Sequence, residues 1–380
     1  MSEWKKCPIG EVVTLRQGFA INAKSKHYMS KEETSLPLLR IADMKNGTKE
    51  VFVKEEIPQR FIAHPEDIIY TRTGNVGLVF RNNYGVMHNN CFSVTPNDAD
   101  ELSRDFLYYA LQNKTFFDTA NALARGAAQP DLPHTSFNSI EFTYPSLFVQ
   151  ERIAYILSRY DILIENYQKQ IKLLEEAAQR LYKEWFVDLH FPGHENTNII
   201  DGVPDGWTPS KLGQLAEFKR GKTITKKDAI EGVIPVVAGG LEPAYYCNKS
   251  NTAERVITVS GSGANAGFTR MYFENVWASD CSFVDASTTP FLHFIYCYLK
   301  DNKTTIDNLQ KGAAQPHVYA KDINSLSICI PIESVLKSFE GKISKYFDSI
   351  SSLQSQIRLL TEARDRLLPK LMSGEIAFDE

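Results

Sequence analysis

One periodicity constrains this chain more than anything else in it. Between residues 153 and 185, apolar side chains fall at Ile153, Leu157, Tyr160, Ile164, Tyr167, Ile171, Leu174, Ala178, Leu181 and Trp185, alternately four and three residues apart. A mean spacing of 3.5 residues is the pattern of a long helix that lays a narrow apolar seam on a partner helix. Glu165, Lys169, Lys172, Glu175, Glu176 and Arg180 lie between the seam positions and suit a solvated flank. At about 1.5 Å per residue such a helix is roughly 50 Å long, more than a small globular domain needs.

The partner is encoded in the same chain. Moving each seam position on by 186 residues gives Phe339, Ile343, Tyr346, Ile350, Leu353, Ile357, Leu360, Arg364, Leu367 and Leu371. Arg364 alone breaks the apolar pattern, and marks either a fraying end or a polar register contact. Gln170-Ile171-Lys172-Leu173-Leu174 returns as Gln356-Ile357-Arg358-Leu359-Leu360. A shared offset over several heptads points to a duplicated helix whose copies pack on each other, rather than to two unrelated amphipathic helices.

The repeat extends into the rest of the chain. Trp4, Gly10 and Gly18 return 203 residues later as Trp207, Gly213 and Gly221. Asn75-Val76-Gly77 returns 190 residues later as Asn265-Ala266-Gly267, and Cys91 as Cys281. Gly126-Ala127-Ala128-Gln129-Pro130 returns unchanged at 186 as Gly312-Ala313-Ala314-Gln315-Pro316. The falling offset makes the second globular half shorter, with its deletions in loops between shared landmarks. The layout is a first domain over 1–150, a helix over 151–190, a polar connector over 191–200, a second domain over 201–335, and a second helix with its tail over 336–380.

Short apolar runs bounded by Gly and Asn turns predict strands at 36–41, 67–71, 77–80 and 91–94, with a helix near 103–113. The second copy predicts strands at 234–237, 255–259 and 282–284, with a helix near 291–300. The fold class is therefore α+β: two similar, strand-rich mixed domains, each followed by a long helix. Pro369 is expected to stop the second helix and leave it shorter than the first. No run of eighteen apolar residues predicts a membrane span, and no apolar run follows the first six residues as a secretory signal would require. Six cysteines without a C-x-x-C pair fit free thiols in a reducing cytosol rather than a zinc cluster.

Enzymatic signatures are weak. Ala216 to Thr223 satisfies a loose phosphate-loop pattern, but it holds one glycine where backbone N–H groups must cradle phosphates, and the first copy has no lysine there. Asp205, Glu217 and Lys219 resemble a metal-nuclease triad, yet the first copy has Thr14-Leu15-Arg16 in place of Glu-Phe-Lys. A DNA methyltransferase would need a Gly-rich cofactor loop and an Asn/Asp-Pro-Pro-aromatic run, and neither occurs. No metal site is predicted.

What remains is a binding signature. Lys211, Lys219, Arg220, Lys222, Lys226 and Lys227 cluster with Glu217 as the one opposing charge, and Lys24, Lys26, His27 and Lys31 form a weaker counterpart. A formal net charge of −4 means that any nucleic-acid surface must concentrate its basic charge on one face. The Gly-Ala-Ala-Gln-Pro strings are flanked by Arg125 and His134 in one copy and by Lys311 and His317 in the other. An identical glutamine cannot tell two sequences apart, so Gln129 and Gln315 read as scaffold or phosphate contacts. Specificity then belongs where the copies differ: 22–60 against 222–250, and Arg72, Thr73 and Asn75 against Ser260, Ser262 and Asn265.

The duplicated order of domain and helix, the paired Gly-Ala-Ala-Gln-Pro strings, Glu184-Trp185-Phe186-Val187-Asp188 and Leu367-Leu368-Pro369-Lys370-Leu371-Met372-Ser373-Gly374-Glu375-Ile376 together resemble the specificity subunit of a type I restriction–modification system. The resemblance covers essentially the whole chain. It implies two target recognition domains on double-stranded DNA, each reading half of a bipartite site, and an antiparallel coiled coil as the spacer between them. It also implies a cytoplasmic protein that docks two modification subunits, which carry S-adenosylmethionine and methylate adenine. Restriction subunits with ATP and Mg²⁺ would join that core, and this chain would itself bind no cofactor and catalyse nothing. The competing readings are an ATP- or metal-dependent nuclease using residues 205–223, and a coiled-coil assembly protein without a DNA role.

Overall fold

The computed structural model describes residues 4–312 and 316–378. They form two compact units, 1–165 with 358–380 and 166–357. The division passes through both long helices, α1 (Leu147–Phe186) and α2 (Glu333–Met372), so each unit contains one end of each.

The first unit is built on a four-stranded antiparallel sheet in the order Val13–Gln17, Cys91–Pro96, Ile68–Thr71, Val79–Phe80. Ile68–Thr71 is buried at every position, which explains its apolar run up to Thr71, whose hydroxyl is satisfied by the Asn75 carbonyl. Phe92 and Tyr70 stack across the central pair and pack with Phe116 and Phe137. A second sheet runs Met29–Ser30, Phe52–Val53, Leu36–Leu39, Gly85–Met87, Ile62–Ala63, and contains one parallel pair, Leu38–Leu39 against Val86–Met87. Strand Lys5–Pro8 pairs with Glu141–Tyr144. Helices Arg104–Ala110 and Lys114–Leu123 start at Ser103 and Asn113, whose side chains accept the N–H groups of Phe106 and Thr115. The strand expected over 36–41 stops at Leu39, and Ile41–Asn46 is helical, ending at Gly47 in the left-handed region.

The second unit repeats this plan. Its four-stranded sheet runs Lys219–Arg220, Cys281–Asp285, Val256–Ser260, Thr269–Tyr272. Thr208–Lys211 pairs with Ser327–Ile330. The other sheet keeps the parallel pair, Val236–Val237 against Trp277–Ala278, but has three strands instead of five among the described residues. The offset falls from 203 to 190 between Gly221 and Asn265, the stretch in which those strands are absent. It falls again to 186 across the helix that is ten residues long at Lys114–Leu123 and five at Lys303–Asp307.

Within the second unit Trp185 meets Phe339, with ring centroids 5.6 Å apart, while Gln170 and Leu174 line one cleft with Ser349 and Leu353. Numbers rise along one helix as they fall along the other, so the helices are antiparallel. In the first unit Leu157 and Leu371 share one core. Every predicted seam position is buried or half-buried: Ile153, Leu157, Tyr160, Ile164, Tyr167, Ile171, Leu174, Ala178, Leu181 and Trp185 on α1, and their ten counterparts on α2. Tyr182 and Phe347 are buried as well, because the helix ends face a globular core and bury a stripe wider than a coiled-coil seam.

Pro369 does not stop α2. It lies inside the helix, and both long helices have 40 residues. Its missing N–H removes one i→i−4 bond in the last turn, and the Ser373 N–H still reaches the Pro369 carbonyl at 2.9 Å. Both helices also begin a few residues earlier than the seam indicates, at Leu147 and Glu333. All six cysteines are free thiols, and no described helix is long and apolar enough to cross a membrane.

Candidate nucleic-acid interface

At one edge of the first unit's main sheet, three loops are tied together by backbone hydrogen bonds. Arg125 and Asp131 exchange N–H···O bonds, both 2.8 Å, and close the loop that carries Gly126-Ala127-Ala128-Gln129-Pro130. Gly126 has φ +95°, a conformation that side chains with a Cβ resist. The loop after Ile68–Thr71 donates from Gly74 N–H to Pro130 O at 2.8 Å and accepts from Leu132 N–H at Arg72 O. Arg72 N–H donates to Asn90 O at 2.8 Å, which adds the turn before Cys91–Pro96. Gly18 closes the edge: a Cβ there would lie 2.2 Å from His88 O.

The second unit has the same backbone connections. Lys311 and His317 exchange N–H···O bonds of 3.0 and 2.9 Å. Gly263 N–H donates to Pro316 O, Val318 N–H to Gly261 O, and Gly261 N–H to Asp280 O. A Cβ on Gly221 would lie 2.3 Å from Ser279 O. His317 therefore corresponds to Asp131 and not to His134, the residue matched to it on proximity in the sequence. The repeat offset of 186 carries that signal, since Asp131 follows Pro130 as His317 follows Pro316.

The side chains at the two edges differ. Lys24, Lys26, Asn75, Arg125 and Gln129 are exposed, and Arg72 and Thr73 are half-buried. Arg72 Nη2 donates to Asp131 Oδ2 at 2.6 Å, and Thr73 Oγ1 donates to Asp131 Oδ1. Burial alone would raise the Asp131 carboxyl, but the bonds from Thr73 and Arg72 outweigh it and hold it below the usual carboxylate range. His134 sits under the edge with its ring against Phe92 and its Nε2 buried. Burial first, and then Arg72, push its pKa down against the pull of Asp131. The residue as a whole is half-buried, with this nitrogen turned away from solvent.

In the second unit Lys219, Arg220, Lys222, Lys226 and Lys227 are exposed and make no ion pair among the described residues. Lys311 is exposed too, but its Nζ lies 2.7 Å from Asp322. Ser262 donates to Asp280, Asn265 Nδ2 donates to Gly239 O at 3.4 Å, and His317 stacks on Tyr319. Ser260 is 3% exposed with its hydroxyl on Gly239 O, so it is a sheet residue and its expected contact role is withdrawn. Gln315 lies outside the described residues. Gln17, Asn90 and Asp280 belong to these edges although no sequence pattern singles them out, and Asp131 is marked only by the repeat offset.

The phosphate-loop reading does not survive. Lys219–Arg220 is a strand paired with Cys281–Asp285, Gly221 is pressed on the Ala278–Ser279 backbone, and no helix begins at Thr223. A phosphate cradle needs a helix N-terminus directly after the loop. Of the proposed nuclease triad, Lys219 pairs in the sheet, while Asp205 lies in a separate turn bonded through its N–H to Asn198 O. Among the described residues no group of three or more His, Cys, Asp or Glu is placed to share a metal ion.

Fold and edges together define a duplicated recognition protein, two like domains on one antiparallel pair of long helices. The family described as type I restriction modification DNA specificity domain matches residues 1–176 and 204–362, and the chain belongs to that family. It is 28% identical over 313 residues to the type I restriction enzyme MjaIX specificity subunit of Methanocaldococcus jannaschii, covering 76% of this chain and 72% of that one. It is 21% identical to the type I restriction enzyme HindI specificity subunit of Haemophilus influenzae, over 99% of this chain and all of that one. The crystal structure of a type I restriction–modification system S subunit from M. genitalium shares the fold, with TM-score 0.59 at 19% identity over 97% of this chain and 96% of the other.

Proposed function

We propose that this chain is the non-catalytic reader of a type I restriction–modification complex, each unit recognising one half of a bipartite double-stranded DNA target. The observation that carries the reading is the duplicated loop edge: the same backbone bonds hold different side chains, as two readers of different half-sites require. The basic clusters, Lys24 and Lys26 in one unit and Lys219 to Lys227 in the other, supply phosphate contacts. The coiled coil fixes the gap between half-sites and docks two modification subunits, with restriction subunits joining that core. S-adenosylmethionine, ATP and Mg²⁺ belong to those partners, and the assembly works in the cytoplasm. Single-molecule sequencing of genomic adenine methylation tests this, in cells making the chain with its modification subunit. A bipartite methylated motif with an unspecified gap, absent without this chain, is expected. Unchanged methylation despite a stable complex would overturn the reading.

A further inference from the structure

The loop edges pair residues across the two units by backbone register. Gln17 corresponds to Arg220, Arg72 to Gly261, Thr73 to Ser262, Asn90 to Asp280, and Asp131 to His317. Around these positions the backbone repeats, and at all five the residue differs. The Gly-Ala-Ala-Gln-Pro string between them is identical in both copies and cannot discriminate. We propose that these five positions are where each unit reads its half-site, and that Arg72 is the residue by which the first unit recognises guanine.

The geometry of Arg72 supports the choice of base. Its Nη2 is held by Asp131 at 2.6 Å and its Nη1 by Gln17 Oε1 at 3.3 Å, while Gln17 Nε2 is itself anchored on Asn89 O at 2.8 Å. Its Nε is buried without a hydrogen-bond partner, so any further contact of this partly exposed side chain falls to Nη1 and Nη2. Each of those nitrogens keeps a second hydrogen, and a guanidinium presenting two N–H groups side by side matches guanine O6 and N7 in the major groove. Clamped between Asp131 and Gln17, the long side chain loses little further freedom on meeting a base. The second unit is built differently: Gly261 stands at the Arg72 position, its arginine is the exposed Arg220 at the Gln17 position, and Ser262 bonds to the Asp280 carboxylate.

This rests on the DNA-reading function, and the test separates the two. The wild-type complex with its modification subunits first yields a methylated motif; if none appears, the underlying reading fails and not this assignment. The assembled complexes carrying wild type, Arg72→Ala and Arg72→Gln are then titrated with duplexes in which each base pair of the motif is replaced in turn. Wild type should discriminate by about 5- to 150-fold at one guanine of one half-site. Arg72→Ala should bring that ratio near one and leave every ratio in the other half-site unchanged. Arg72→Gln should move the preference at that position toward adenine, the base glutamine contacts bidentately. Ratios do not depend on total affinity, so a general weakening leaves the comparison intact. An unchanged ratio at every guanine, or a change in both half-sites, would overturn the assignment.

Discussion

Arg364 Nη1 donates to Asp161 Oδ1 at 2.8 Å, and the same carboxylate accepts Tyr109 Oη–H at 2.6 Å and Arg81 Nη2–H at 3.0 Å. The one charged residue on the seam is thus a register contact and not a fraying end. Its partner Asp161 is buried on α1. Shifted by 186, Asp161 becomes Phe347 and Arg364 is the image of Ala178, both buried in the apolar core of the second unit. One copy fastens its helix pair with charge and the other with apolar packing.

Asp161→Ala leaves two guanidiniums half-buried with no shared carboxylate. Removing one partner of a buried ionic network costs about 3–5 kcal/mol, more than replacing the whole network by apolar groups. Chemical denaturation should therefore show a large loss of stability for Asp161→Ala. A much smaller loss is expected for Asp161→Phe combined with Arg364→Ala, the residues of the second copy, and with Arg81→Met. Equal losses would mean that the network contributes no more than its shape.

Gly18 and Gly221 close the two edges against carbonyl oxygens. A Cβ on Gly18 would lie 2.2 Å from the His88 oxygen, and one on Gly221 2.3 Å from the Ser279 oxygen. The obstacle is backbone, which cannot swing aside as a side-chain tip can. Gly18→Ala and Gly221→Ala should each cost about 1–3 kcal/mol by overpacking. Hydrogen exchange should rise around 85–92 in the first variant and 277–283 in the second, and only there. Exchange unchanged in both would show that the edges are looser than this packing implies.

Acidification should loosen the first unit. His88 is pushed down by burial and then by Arg40, and His134 by burial and then by Arg72. A histidine whose folded pKa lies below its unfolded value of about 6.5 favours folding above that value, and its contribution is lost as pH falls through the folded pKa. Asp131, also depressed, keeps its contribution above about pH 3.9 and loses it only below. Hydrogen-exchange protection factors across 85–96 and 131–142, corrected for the intrinsic rate at each pH, should therefore fall between pH 7 and 5, while the Arg72–Asp131 clamp and the half-site preference stay constant from pH 8 to 6. A preference that titrates in that range would contradict the clamp.

Neutralising Lys222, Lys226 and Lys227 together should weaken DNA binding alike for every sequence. Removing one phosphate contact makes the log–log salt dependence shallower by roughly 0.9. A change in the methylated motif instead would make these lysines base readers.

Much of this organisation is legible in the sequence because duplication prints itself twice. The seam over 153–185 needs only its image at 186 to become a helix pair, and Gly18 and Gly221 are visible as shared landmarks. The strands over 68–71 and 256–260 are legible because they are buried on both faces and so hold few polar residues. The edges are harder. Asp131 and Gln17 are single polar residues whose importance comes from meeting Arg72 across 59 and 55 positions, which no local pattern records. Ser260 misleads for the converse reason: a serine in a loop-like string continues a buried strand. Pro369 misleads because it costs the helix one i→i−4 bond without ending it: three more residues stay helical and Ser373 N–H still closes on the Pro369 carbonyl.

The seam also leaves apolar residues outside it. Leu173 is 64% exposed and Leu359, its image at 186, is 59% exposed. Neither packs into a core cluster of its own unit, and two equivalent leucines suit two copies of one partner, as two modification subunits would be. Leu173→Glu and Leu359→Glu should each remove one modification subunit, giving one per chain in place of two by native mass spectrometry, and the double variant should bind none. Leu173 also borders the cleft lined by Leu174 and Leu353, so loss of the partner counts only where the far-ultraviolet circular dichroism and thermal unfolding of the variant match those of the unaltered chain. Retention of two partners by the double variant would place the docking surface elsewhere on the helices.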